Sequence, residues 1–160
     1  MEDKKQFYKD LAAGAKALLS GERDPIANAS NFSALVFNGI SGLNWAGFYF
    51  IKGDELLLGP FQGKPACVRL KKPRGVCWAA VLEAKTVTVA DVHAFAGHIA
   101  CDAASVSEIV VPVVKNGGVI GVFDADSPLP SRFEDETDKE GFENLVRIFE
   151  NSTDLQGQRI

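Results

Sequence analysis

Three cysteines, at positions 67, 77 and 101, are the side chains of this sequence best suited to chemistry. Cys101 lies in HIACDAASVSE, residues 98–108, three residues after His98 and directly before Asp102. The thiolate is the reactive form of cysteine; a nearby imidazolium or helix N-terminus lowers its pKa, whereas an adjacent carboxylate alone raises it. The sequence leaves that balance open, and a small buried side chain is the alternative for Cys101. Cys67 and Cys77 stand ten residues apart in CVRLKKPRGVC and flank a lysine-rich loop. A mobile loop is where a resolving thiol belongs, because that thiol must travel to a sulfur it does not touch at rest. Cys67, Cys77, Cys101 and His98 also form a candidate ligand set for zinc. Zinc sites favour ligand pairs two to four residues apart, and the wider spacing here argues against one, so no metal is expected.

Acids and aromatics add a second constellation. Asp124 and Asp126 share one face of VFDAD by the two-residue period of a strand, and Glu108 opens a neighbouring strand. Strands are depleted in aspartate, so two on one face either meet solvent or point into a pocket. Convergence of all three acids would let mutual repulsion hold one of them protonated near neutral pH, beside groups able to grip a cation. Trp45 and Tyr49 share a strand face in the same way, as core or as the wall of a pocket for a small sulfur-bearing or methyl group.

These residues need elements to hold them. Residues 3–19 place Phe7, Leu11, Ala15 and Leu18 on one stripe of an amphipathic helix. Asp24 and Pro25 have the form of a cap followed by proline at the first helical position, predicting a helix to about Phe37, ended by Asn38 and Gly39. NWAGFYFI and ELLLGPF, joined by KGD, form a hairpin. Residues 75–84 predict a short helix with Val76, Ala79, Ala80 and Leu82 on its apolar side, followed by the extended TVTVAD. The stretch from His93 to Ser107 lacks regular patterning, and loops of that length in compact chains are usually disordered or functional. EIVVPVV and VIGVFDAD, joined by KNGG, form the clearest hairpin. From about Glu134, Phe142, Leu145, Val146 and Phe149 recur at helical spacing.

Hairpins between terminal helices predict an α+β domain with a central, mainly antiparallel sheet flanked by the N-terminal and C-terminal helices. One domain over residues 1–152 with a frayed tail at 153–160 suits 160 residues, of which 46% are hydrophobic and 24% charged. A net charge of -4 argues against nucleic acid or an anionic membrane as partner, and the cluster KKPR reads as a solvated loop. No apolar run approaches the roughly 20 residues of a membrane span, and no signal peptide is visible, which predicts a cytoplasmic protein. Thiols there stay reduced, so lasting structural disulfides are not expected.

Taken together, NWAGFYF, LGPFQGKPACVRL, GVC, DVHAFAGHIACDAASVSEIVVPVV and GVFDADSP resemble the free methionine-(R)-sulfoxide reductases, a family built on a GAF domain. The resemblance runs from the first helix through the last. It implies that Cys101 is the nucleophile, Cys67 the main resolving cysteine and Cys77 a further thiol able to exchange with them. Glu108, Asp124 and Asp126 would line the substrate pocket, with Trp45 and Tyr49 enclosing the methyl sulfoxide end. The implied reaction reduces free methionine (R)-sulfoxide without a bound cofactor. Thioredoxin, itself kept reduced by NADPH through thioredoxin reductase, recycles the enzyme, and a homodimer is implied. Trp78 departs from the family pattern, standing where a small glycine is usual and restricting the surroundings of Cys77, and Ala96 stands where proline is common. The competing reading is a GAF module that binds a small ligand or senses redox state without catalysis; such modules commonly sit in longer signalling proteins.

Overall fold

A computed structural model describes residues 2–98 and 101–155. Ile99 and Ala100, which fall inside the motif GHIACD, lie outside the described residues. Strands β1 (Trp45–Lys52), β2 (Glu55–Gly63), β3 (Arg69–Lys71), β4 (Val87–Val89), β5 (Ser107–Lys115) and β6 (Gly118–Ser127) form one antiparallel sheet in the order β3-β2-β1-β6-β5-β4. The helices are α1 (Glu2–Leu19), α2 (Pro25–Gly39), α3 (Val76–Glu83) and α4 (Glu136–Ser152). This is the expected α+β architecture. β3 was not legible in the sequence, because three residues reading RLK carry too little pattern for a strand.

Local chemistry explains the helix boundaries. Asp24 caps α2 by accepting a hydrogen bond from the Ala27 N–H at 2.9 Å, with Pro25 inside the first turn. Asp135 caps α4 through the Thr137 N–H at 2.8 Å, and Glu136 and Asp138 in the first turn oppose the positive helix end. Asp138 has no exposed surface, so its charge needs partners. Tyr8 donates to it at 2.7 Å, and Lys4 and Arg132 pair with it at 2.6 and 3.1 Å, which fastens α1 to α4.

Period-two alternation then divides the sheet into two unlike faces. Phe48, Phe50, Ile109, Val111, Val113, Phe123 and Ala125 form one core with α1, α2 and α4. The opposite face turns Trp45, Tyr49, Val110 and Val122 toward α3, and this is the face that carries the site.

Three expectations change. On α1 the buried stripe is Tyr8, Ala12, Ala15 and Leu19, while Phe7 and Leu18 are 39% and 44% exposed. Small alanines bring α1 close to α4, and that contact, not the larger apolar side chains, sets the helix rotation. On α3 the buried residues are Val76, Cys77, Trp78 and Ala80, with Leu82 exposed, because the first turn enters the sheet face and the last turn leaves it. Thr153 and Leu155 are buried, so the tail does not fray from residue 153. Arg23 pairs with Asp154 at 2.6 Å and the Asn28 amide donates to the Ser152 carbonyl at 3.1 Å, tying this stretch to α2. Residues 156–160 of the expected tail lie outside the described residues.

Candidate active site

The site grows out of strand register. β6 pairs with β1 so that Asp126 faces Trp45 and Asp124 faces Gly47; β5 sets Glu108 beside Asp126 and Val110 beside Asp124. With Phe123 and Ala125 committed to the helical core, Asp124 and Asp126 must point to the other face. Glu108 and Asp124 are each 6% exposed. Gly47 lets Phe61 and Trp45 close over the strand here, since a Cβ there would lie 2.3 Å from the Phe61 Cβ. Trp45 stacks on Tyr49 and Phe61 at ring separations of 5.9 and 5.3 Å. Two polar atoms in this wall, Trp45 Nε1 and Asp124 Oδ1, are buried without a hydrogen-bond partner among the described residues. They are a donor and an acceptor that a polar ligand would satisfy.

The second wall is sulfur. Cys67 and Cys101 form a disulfide across 34 residues, with Cα atoms 5.6 Å apart. Both cysteines are half-buried, and Cys101 lines the same pocket as the three acids, Trp45, Tyr49, Cys77 and His98. β1 and the residue before it anchor the chain at both ends of the bond. Tyr49 donates its hydroxyl to the Cys67 carbonyl at 2.8 Å. Asn44 donates its amide to Asp102 Oδ2 at 3.2 Å and Ser105 Oγ at 3.0 Å, just past Cys101.

The segment between Cys67 and Cys77, expected as a loop, contains regular structure. β3 lies within it, and Cys77 sits in the first turn of α3, buried, with its thiol donating to Asp124 Oδ2 at 3.8 Å. Trp78 donates its indole N–H to the Leu70 carbonyl at 2.8 Å. With Cys67 and Cys101 bonded to each other, the four-ligand set that includes His98 is not available to a metal in this state. Cys77, Glu108 and Asp124 bring one donor atom each within 4.8 Å of one another.

Burial governs the electrostatics. It raises Glu108 to about 7 and carries Asp124 well above the usual carboxylate range, with the charges of Asp126 and Glu108 adding to it. Asp126 shifts the same way, by burial first and then through Glu108 and Asp102. Repulsion among the acids therefore acts as expected but is secondary to loss of solvent. Cys77 is pushed up by burial and then by Asp124, so it stays a neutral thiol. His98 is lowered by burial and then by His93, which disfavours the imidazolium form beside the pocket.

The eight residues to which the resemblance gives a role converge here: seven line the pocket, with His98 beside them, and Cys67 is bonded to one of the seven. Sequence reasoning missed Asn44 and Ser105 as site-holding residues; they are 61 positions apart and carry no local pattern. It also missed Arg74 at the pocket wall.

The family model for the GAF domain matches residues 27–152. The chain is 49% identical over 148 residues to the free methionine-R-sulfoxide reductase of Escherichia coli (strain K12), covering 92% of this chain and 89% of that protein. The chain belongs to the GAF-domain free methionine-R-sulfoxide reductases. A second member of this oxidoreductase family, from Saccharomyces cerevisiae, is 39% identical and spans 94% of this chain and 87% of its own length. The X-ray structure of the free methionine-R-sulfoxide reductase from Neisseria meningitidis in complex with its substrate aligns with a TM-score of 0.88 at 41% identity. That alignment covers 93% of this chain and 89% of that one. In this reductase the Trp78 indole next to Cys77 is held against β3.

Proposed function

We propose that this chain reduces free methionine (R)-sulfoxide to methionine by a thiol cycle in which Cys101 attacks and Cys67 resolves. The observation that carries the reading is the Cys67–Cys101 disulfide on the wall of a pocket floored by the buried Glu108 and Asp124 and the half-buried Asp126. In the reduced enzyme, the Cys101 thiol gives its proton to an ionised neighbour and its sulfur attacks the sulfoxide sulfur. A protonated carboxyl of the Glu108, Asp124 and Asp126 cluster hands a proton to the sulfoxide oxygen. The oxygen passes to Cys101 as a sulfenic acid, and methionine leaves as the thioether. Cys67 then condenses with that sulfenic acid, forming the disulfide and releasing water. An external dithiol, thioredoxin, returns both cysteines to thiols and is itself oxidised. Trp45 and Tyr49 enclose the methyl sulfoxide end.

Selectivity for the free amino acid follows from charge. An ionised carboxylate of the cluster holds the α-ammonium, and a methionine within a peptide lacks that charge. A site left with an unpaired buried group rejects such an analogue strongly.

Cys77 is buried against Asp124 and held as a neutral thiol, so its place in this cycle is that of a hydrogen-bond donor to the acid cluster rather than an exchange partner.

The test is turnover of free methionine (R)-sulfoxide with thioredoxin, thioredoxin reductase and NADPH, followed as NADPH loss. Cys101→Ser is expected to abolish it, and Cys67→Ser to release about one methionine per chain before stalling. Steady turnover by Cys101→Ser removes the nucleophile assignment, and no turnover by the wild type removes the reading in favour of a binding module.

A further inference from the structure

From Leu56 to Leu82 the sequence holds five bases, Lys64, Arg69, Lys71, Lys72 and Arg74, and no acid. The chain as a whole has 17 bases and 21 acids. All five residues are exposed. Arg69 pairs with Glu55 at 2.8 Å; the other four make no ion pair among the described residues. Cys67 lies inside this basic stretch, half-buried, and the next residue, Val68, is an apolar side chain 61% exposed. The disulfide is thus reachable from the one strongly basic segment of an acidic molecule.

Charged residues often guard an edge strand against pairing with another chain, and β3 is an edge strand. That accounts for Arg69 and Lys71. Lys64, Lys72 and Arg74 lie outside β3 and guard no ladder.

We propose that the exposed basic face of residues 64–74 is the docking surface for a dithiol protein with an acidic exchange face, seated over Val68 beside the disulfide. This rests on the reading of the Cys67–Cys101 bond as a turnover state. An acidic partner is repelled by the net charge of the whole chain, and a local basic patch reverses that repulsion at the point where contact is needed. The partner's thiolate attacks Cys67 Sγ, the S–S bond breaks, and its electron pair leaves on Cys101, which takes a proton in the acid-lined pocket. The partner's second thiol then displaces Cys67 from the mixed disulfide, so two electrons and two protons pass from dithiol to disulfide. Positive charge beside Cys67 favours both the approach of a thiolate and the departure of one.

The experiment starts from the oxidised protein and measures second-order reduction by a thioredoxin of net negative charge and, separately, by the small neutral dithiol dithiothreitol. In Lys64→Glu/Lys72→Glu the thioredoxin rate is expected to fall about tenfold or more at low salt, with the gap closing near roughly 0.5 M salt. The dithiothreitol rate is expected to change less than about threefold, since no surface must dock. Equal effects on both reductants, or none on thioredoxin, overturn the proposal; the latter is the result for charges that only guard the edge. The wild-type protein supplies a second measurement that does not depend on how the variant folds: its thioredoxin rate falls with ionic strength and its dithiothreitol rate does not. A flat thioredoxin rate also overturns the proposal. Methionine release from the sulfoxide, assayed apart, reports on the underlying reading alone.

Discussion

At the scale of single residues, the site is built on carboxyl groups denied water. Glu108 titrates near 7 where an exposed glutamic acid titrates near 4.5, and Asp124 and Asp126 lie well above their ordinary values. The three interact, so a pH profile reports the cluster and not one member. Turnover that needs a protonated donor is expected to decline as pH rises through about 7, read as kcat across a pH series. Glu108→Gln cannot give a proton and is expected to lower kcat on the order of a hundredfold while changing the slope of that decline. Cys77→Ser tests a different point. If the buried thiol serves only as a donor to Asp124, a hydroxyl replaces it, and turnover with thioredoxin should stay within roughly tenfold of the wild type. Loss as complete as in Cys101→Ser would return Cys77 to the exchange chain.

At the scale of elements, β1 acts as the ruler of the redox pair. Asn44, the residue before it, holds the chain beside Cys101, and Tyr49 within it holds the carbonyl of Cys67. In the disulfide state both ends of the bond are thereby tied to one stretch of chain. Tyr49→Phe keeps the ring at the pocket wall and removes the bond to Cys67. The sulfenic acid on Cys101 should then persist longer, and the fraction trapped by a sulfenic-acid reagent per methionine released should rise about fivefold, the weight of one buried hydrogen bond. An unchanged fraction would mean that β3 alone holds Cys67 in place. On the opposite face, Gly141 is where α4 meets α1, and a Cβ there would lie 2.3 Å from the Tyr8 ring. Gly141→Ala is expected to cost about 1–3 kcal/mol, read in denaturant unfolding, with turnover per folded molecule unaffected across the sheet. A neutral result would show that the two helices slide apart freely.

At the scale of the whole molecule, one sheet separates stability from chemistry, and the cost of the chemical face shows in how stability depends on pH. Glu108 binds its proton more tightly folded than unfolded, so its contribution is fully present below about pH 4.5 and is lost as pH rises through about 7; Asp124 and Asp126 act in the same direction. Asp135, lowered to about 2 first by its bond to Lys4, works the opposite way: its contribution is present above 3.8 and lost as pH falls through about 2, and solvent exposure keeps it small. The thermal midpoint is therefore expected to peak in mildly acidic buffer and decline toward neutrality, less steeply in Glu108→Gln. A midpoint that rises from pH 5 to pH 8 would contradict the protonated cluster. Much of this molecule was written in local pattern. The caps at Asp24 and the helical spacing of α4 are readable because helix signals act within about four residues. The strand alternation that sends Asp124 and Asp126 away from Phe123 is readable because side-chain direction in a strand has a period of two. Sequence alone determined which residue types are available for thiol and acid chemistry and which face of each long strand carries them. Tertiary structure decided that Cys67, 34 residues from Cys101, closes the disulfide while Cys77 stays apart in α3, and that burial shifts the acids more than their mutual repulsion does. Those outcomes depend on strand register and on the depth of the pocket, and both are sums over contacts between distant segments that no local spacing records.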